Sequence, residues 1–413
     1  MVTEIPNKIK NSSFIILILF GSFIFQITIL RHIWGIENIS RIFNFIILLS
    51  TSAYASYCLI KLKTTRRVWL AYIIPAWLII IGTITNISIN VLQNFSLLGQ
   101  FGFALPWVLF LMMPRIVDKG LVNYQILWRY SYYLMLFIVI TGLFDYYIIY
   151  YSGTSTRVLN TPYGVFLAGK FSILHMIEDG LPHFRFYASF AEPGSLGMML
   201  LPFIFYSFLY KRYLGMFILG LGLYFSGSLG AYISLFFLVI LYILFRRKGK
   251  TNYVFLILSS TIIIIIAIGY VWPAITEEYE KKGVSRITRE ESFKRGINAL
   301  PDLFINHTFG MPLSGTTKEA EQNELYTGTN FIPLVYLQYG GIVSFIGFCI
   351  IVCFSIYDAL WILSQKKVID IEDYIVAVSL VIMIPFLFQR MTIWETPLFA
   401  LLYFPSLLKR ELG

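Results

Sequence analysis

The sequence predicts an all-α fold: one polytopic transmembrane helix bundle of about 12 spans, with two long outer loops containing short helices. Three observations predict it. Hydrophobic residues make up 58% of the 413 residues and charged residues 13%, where soluble chains average about 45–50% and about 25%. Apolar runs of membrane-crossing length recur along the whole chain. Lysines and arginines gather in alternate connections between those runs. The composition excludes a water-soluble enzyme of ordinary build, and it excludes a disordered chain, which would be polar and charged.

The runs lie at about 13–30, 42–60, 68–86, 96–114, 127–150, 194–210, 213–227, 229–245, 252–272, 330–356, 372–388 and 392–408. Lys8 and Lys10 precede the first run, and no small-residue cleavage site follows it. It therefore reads as an uncleaved span. No internal repeat divides the chain, so residues 1–413 read as a single integral membrane domain.

Charge fixes the expected orientation. The net charge is +10. In a soluble protein that surplus would raise nucleic acid as a partner; here it fits the cytoplasmic excess of Lys and Arg in membrane proteins. With the N-terminus inside, the inner segments carry Lys61, Lys63, Arg66 and Arg67, then Lys211 and Arg212, then Arg246, Arg247, Lys248 and Lys250. The short outer loops carry only Arg31, Arg41 and Arg390. Both termini are expected in the cytoplasm. The expected partner is the bilayer, and no nucleic acid is expected.

Two connections are long, and both fall outside: residues 151–193 and 273–329. Loops of this length are usually functional or disordered. The first carries apolar and aromatic residues throughout, among them Phe166, Phe171, Phe184, Phe186 and Tyr187. In the second, Val284 to Leu300 fits a helix, with Arg286, Arg289, Phe293, Ile297 and Leu300 on one face. Arginines sharing a face with apolar residues point toward a site; the ordinary alternative is a solvated face or an ion pair with Glu290 or Glu291.

The candidate site residues cluster at these outer edges. The first loop enters a span through Arg185-Phe-Tyr-Ala-Ser-Phe-Ala-Glu192-Pro193. Pro193 suits the first turn of a helix, and Glu192 suits its positive end. That is either a capped helix start or a carboxylate and a guanidinium facing a cavity at membrane level. The second loop ends with Glu324, Tyr326 and Asn330. Asp145 lies in the outer part of the fifth run, and an intramembrane carboxylate is a functional candidate by default. Arg390 and Glu395 pair more readily with each other. Cys58, Cys349 and Cys353 sit in apolar runs, and His32, His175, His183 and His307 form no ligand pair, so neither a disulfide framework nor a metal site is expected. No phosphate-binding glycine loop is present, and no cofactor is expected. Arginine forks suit phosphate oxygens.

The layout resembles the O-antigen polymerase and O-antigen ligase superfamily, lipid-linked-sugar glycosyltransferases of the GT-C type. The resemblance covers the whole arrangement of spans and two enlarged periplasmic loops. It also rests on three local patterns: Arg185 through Glu192-Pro193 to Gly197; Ser226-Gly-Ser-Leu-Gly-Ala-Tyr-Ile; and Arg286 and Arg289 followed by Asn306-His-Thr-Phe-Gly310. Ligases of this superfamily carry a His-Asn pair with a glycine ten residues after the asparagine. Asn330 and Gly340 keep that spacing, but Thr329 stands in the histidine's place. This departure favours a polymerase. The arginine–ten residues–glycine spacing described for some polymerases is not met from Arg185, and the general base stays unassigned.

The resemblance implies a polymerase of O-antigen or a related surface polysaccharide in the bacterial inner membrane, with its active site periplasmic. The sugar hydroxyl of one undecaprenyl-pyrophosphate-linked unit attacks the anomeric carbon of another, and undecaprenyl pyrophosphate leaves. Arg185, Arg286 and Arg289 would clamp the pyrophosphate. Glu192 or Glu324 would orient or deprotonate the acceptor. Tyr187, Arg295, Tyr326, Asn330 and Asp145 are the expected substrate contacts. No metal is needed if arginines carry the charge. A chain-length regulator is a further partner class. An O-antigen ligase and a flippase of lipid-linked oligosaccharide are the alternatives. Thr329 disfavours the first; the long outer loops and the charge-poor midplane disfavour the second.

Overall fold

The computed structural model describes residues 65–89, 97–118, 123–161, 164–176, 184–188, 193–246, 294–311, 331–365, 369–388, 394, 396 and 399–412. These residues are mostly helical, at 82%. Among the described residues three helices are long and apolar enough to cross a membrane: α1 (Arg66–Ile89), α3 (Tyr124–Ser152) and α8 (Ile332–Ser364). Between them stand α2 (Leu97–Asp118), α4 (Pro193–Leu209), α5 (Tyr213–Ser226), α6 (Leu229–Arg246) and the short α7 (Leu300–Ile305). After them come α9 (Ile371–Ile382) and α10 (Phe404–Leu412). The expected spans at 13–30, 42–60 and 252–272 lie outside the described residues.

The long helices are apolar on all sides. Phe137, Ile140, Phe144 and Tyr147 of α3 are exposed, while Leu127, Trp128, Met135 and Val139 are buried. A helix hydrophobic all round belongs in a core or in lipid. Water would not tolerate so large an apolar surface; a bilayer would.

Helix association in lipid rests on close packing and hydrogen bonds, since the tails are as apolar as leucine. The α1–α8 pair shows how. A Cβ at Gly82 would collide with the Ser344 hydroxyl and the Gly340 carbonyl, and one at Gly347 would lie 2.5 Å from the Pro75 carbonyl oxygen. Ser344 Oγ donates to the Ile79 carbonyl at 3.0 Å. Pro75 removes one ladder donor, and α1 widens to a π-helical stretch over Trp69–Ile73. Beside this pair lies an aromatic core. Phe110 stacks on Phe404 with centroids 3.7 Å apart, and Trp107 meets Tyr336 and Phe348 edge-on at 5.9 and 6.2 Å. Trp107 Nε1 donates to Tyr336 Oη at 3.2 Å.

The first long connection corrects one expectation. It was expected to hold short helices, but within 151–193 the described residues form a four-stranded antiparallel meander. The strands are β1 (Arg157–Thr161), β2 (Gly164–Ala168), β3 (Ile173–Met176) and β4 (Phe184–Phe186), so the chain is not all-α. Val158 pairs with Leu167, Phe166 with His175, and Leu174 with Phe186. Runs of three to five residues carry too few repeats for period-two alternation to stand out. Cross-strand pairing, not strand propensity, holds the sheet.

Polar pairs mark opposite ends of the helices. At one end Arg67 forms an ion pair with buried Asp358, and Tyr72 Oη donates to the same carboxylate at 2.6 Å. Near the other end lies the sheet.

Candidate functional site

The site is built where the sheet meets the ends of α3, α4 and α5. Asp145 of α3 is 4% exposed. Its Oδ2 accepts from the Phe171 backbone N–H at 2.6 Å and from Ser172 Oγ at 3.3 Å. It thus grips the β2–β3 turn. Gly169 is needed there, because a Cβ would come within 2.5 Å of the Asp145 carboxylate. Asp145, expected as a substrate contact, anchors the loop through these hydrogen bonds.

Phe186 closes the other side. It is fully buried, meets Tyr146 edge-on at 6.2 Å, and would lie 2.8 Å from a Cβ at Gly142. β4 is thereby pressed onto α3. Arg185 is the middle residue of β4, in register with His175. Tyr187 follows, 5% exposed, with its ring 5.8 Å from Phe166. Its N–H donates to the Ile173 carbonyl, and the Ile173 N–H donates to the Ala188 carbonyl, each at 3.1 Å. Ala188 has φ +46°. A left-handed non-glycine residue costs on the order of 1–3 kcal/mol and persists only where its surroundings enforce it. Here the Ile173 hydrogen bonds enforce it, within the stretch that joins Arg185 to α4.

α4 itself packs on the serine-rich turn. A Cβ at Gly197 would lie 2.5 Å from Ala231 Cβ and 3.1 Å from Ser228 Cβ. Two of the sequence patterns, the one ending at Gly197 and Ser226-Gly-Ser-Leu-Gly-Ala, therefore pack against each other. Between α5 and α6 the chain reverses at Gly227, which has φ +56°. Ser226 Oγ donates to the Leu223 carbonyl at 2.6 Å and accepts from the Ser228 N–H at 3.3 Å. α5 has 14 residues, or about 21 Å at 1.5 Å each, against a hydrocarbon core of about 30 Å. Ser195, Ser226 and Ser228 are all buried at this turn-and-junction region.

The third pattern docks elsewhere. α8 breaks at Gly341, which has φ +69° and ψ −171°. The break disturbs the backbone ladder, and the second long loop supplies partners: the Met311 N–H donates to the Gln338 carbonyl at 2.6 Å, and the Ile342 N–H donates to the Thr308 carbonyl at 3.0 Å. Asn86 of α1 is buried and donates through Nδ2 to the Tyr339 carbonyl at 2.6 Å and the Met311 carbonyl at 3.0 Å. A Cβ at Gly341 would lie 2.7 Å from Phe309 Cα. Irregular backbone at membrane depth persists where protein surrounds it, and broken helices often border binding sites. α7 rests on the same region, with Ala299, Leu303, Met311, Leu334 and Leu337 in one apolar cluster. The turn before it, 294–298, is helical and carries part-buried Arg295.

The expected site residues thus divide. Arg185 lies on the edge strand β4 and Tyr187 just after it, while Asp145 holds the β2–β3 turn of the same sheet; Arg295 lies in the helical turn before α7. Glu192, Arg286, Arg289, Glu324, Tyr326 and Asn330 lie outside the described residues. Sequence reading missed Asn86 and Ala188. A lone asparagine inside an apolar run was the available signal for Asn86; nothing local marks Ala188. Comparison with models of known families, with curated proteins and with solved structures gave no match.

Proposed function

We propose that this chain is a glycosyltransferase of the bacterial inner membrane that polymerises O-antigen or a related surface polysaccharide at the periplasmic face. In this reading about 12 spans cross the membrane and both termini are cytoplasmic. The donor is a glycan on undecaprenyl pyrophosphate; the acceptor is a lipid-linked repeat unit. The acceptor hydroxyl oxygen bonds to the donor's anomeric carbon. The bond from that carbon to the pyrophosphate oxygen breaks, and the electron pair leaves with undecaprenyl pyrophosphate. The hydroxyl proton passes to a carboxylate, Glu192 or Glu324. Arg185, Arg286 and Arg289 stabilise the charge developing on the leaving group.

The observation that carries the reading is the Arg185 strand. Phe186 packs it against α3, Asp145 anchors the β2–β3 turn of the same sheet, and a strained residue, Ala188, follows it before a helix whose Gly197 packs on a buried serine turn. In this reading Arg185 meets a lipid phosphate whose tail stays in the bilayer, and the packing of its strand supports that reading. Precise placement of a charge matters because its effect depends on donors within about 3 Å of the charged oxygen.

The test is a gel of lipopolysaccharide from a strain lacking the gene, complemented with wild type or with Arg185→Ala. A ladder reduced to one repeat on lipid A-core, restored by wild type and not by the variant, is the expected result. Loss of every repeat, with lipid-linked polymer accumulating, would make it a ligase. An unchanged ladder in the deletion strain would remove the polymerase reading, and full restoration by Arg185→Ala would remove the arginine clamp.

A further inference from the structure

The opposite end of the same helices carries a second arginine site that the polymerase reading does not use. α4 turns into α5 through Lys211, which has φ +57°. The turn is tight: the Lys211 N–H donates to the Phe208 carbonyl at 3.1 Å, and the Arg212 N–H donates to the Ser207 carbonyl at 2.7 Å. This drives Arg212 into a cage of tyrosines. Its guanidinium carbon lies 4.9 Å from the Tyr132 ring centroid, 5.4 Å from Tyr133, 5.4 Å from Tyr206 and 5.9 Å from Tyr210. The cage is built, not incidental. Tyr206 stacks parallel to buried Trp128 at 6.1 Å, and the Tyr132 hydroxyl fills a slot that any side chain at Gly215 would close.

Ring faces satisfy a cation's charge in part, but they give its N–H groups no lone pairs in the plane of the fork. Arg212 Nη1 is buried and has no hydrogen-bond partner among the described residues. Glu372, which is 3% exposed, accepts from the Tyr210 hydroxyl of the cage. Arg212 is only part-buried, and two more cations, Arg129 and Lys211, stand exposed beside it. Tyr133, Tyr213 and Leu214 add exposed aromatic and aliphatic surface. A caged guanidinium whose Nη1 meets no acceptor among the described residues, flanked by cations and apolar surface at the end of apolar helices, matches the polar–apolar boundary of a lipid headgroup.

We propose that Arg212 and its tyrosine cage bind the phosphate ester of an anionic phospholipid. The phosphate oxygens accept from the Arg212 fork, Arg129 and Lys211 supply the surrounding field, and the acyl chains lie along Tyr213 and Leu214. The site is independent of the polymerase reading and stands or falls without it.

The test uses the full chain in detergent, titrated with phosphatidylglycerol, with phosphatidylcholine or with inorganic phosphate, reading the thermal unfolding midpoint. A ligand that binds the folded state raises that midpoint by mass action. Phosphatidylglycerol is expected to raise it saturably and phosphatidylcholine to do so far less. Arg212→Gln is expected to raise the half-saturating concentration at least about tenfold. Should that variant fail to fold, Arg129→Gln, at an exposed position, decides: about a fivefold rise is expected. Unchanged half-saturation in the variant that folds, or equal response to both lipids, overturns the proposal. Saturation by inorganic phosphate alone, with no further gain from the lipid, would make the ligand free phosphate and overturn the lipid assignment.

Discussion

Asn86 and Asp145 are single buried side chains that each tie a long connection to a helix. Asn86 holds two carbonyls, one on α8 just before its break and one on the second long loop, with one amide nitrogen. Asn86→Asp has nearly the same shape but presents a carboxylate to two carbonyl oxygens. We expect it to be worse than Asn86→Ala, which leaves carbonyls unpaired at about 1–3 kcal/mol. Unfolding midpoints of the purified variants check the order; Asp milder than Ala would remove the donor role given to Nδ2. Asp145→Ala strips the Phe171 N–H and Ser172 of their acceptor. It is expected to free the sheet from α3 at a cost of about 1.5–3 kcal/mol, seen as faster proteolytic cutting within 157–186 while the helical circular-dichroism signal stays. An unchanged cutting rate would mean that Phe186 alone holds the sheet. At this scale the sequence was partly legible. Asp145 was singled out for its charge in an apolar run, but its partner lies 26 residues on, and only the folded loop reveals an anchor.

At the scale of elements, hydropathy predicts what depends on hydropathy. The run expected at 68–86 appears as α1, that at 127–150 as α3, and that at 330–356 as α8. Elements decided by backbone geometry were not legible in the same way. α8 stays apolar straight through Gly341, so its break leaves no trace in a hydropathy window; only the Gly340-Gly341 pair marked it. The sheet was missed because its strands are short and its anchors are tertiary. Helix pairing turns on small residues. Gly82→Val is predicted to force α1 off α8, because the new Cβ meets Ser344 and the Gly340 backbone at once. Gly220→Ala in α5 meets nothing within 4 Å and is the matched control. Comparing the yield of monodisperse protein in detergent checks the pair; a Gly82→Val protein as stable as the control would mean that α1 and α8 separate freely.

Across the whole molecule, polar contacts sort by end. Arg67 with Asp358, and Tyr210 with Glu372, join the helix ends that carry the lysine and arginine clusters. Asp145 with Phe171, and Asn86 with Met311, join the opposite ends. Along the chain Arg185 precedes α4 and Arg212 follows it, so the two lie toward opposite ends of that helix. The proposed chemistry belongs to the sheet end and the proposed lipid contact to the basic end. The most direct measurement is therefore made on purified chain, in detergent, with synthetic undecaprenyl-pyrophosphate-linked repeat units as sole substrate, following glycan length and released undecaprenyl pyrophosphate together. The account predicts glycans of two or more repeats, one undecaprenyl pyrophosphate released per bond formed, and a rate about 10²–10³ lower for Arg185→Ala. Folded wild-type protein that forms no bond between repeats, or an Arg185→Ala variant that forms them at the wild-type rate, would contradict it.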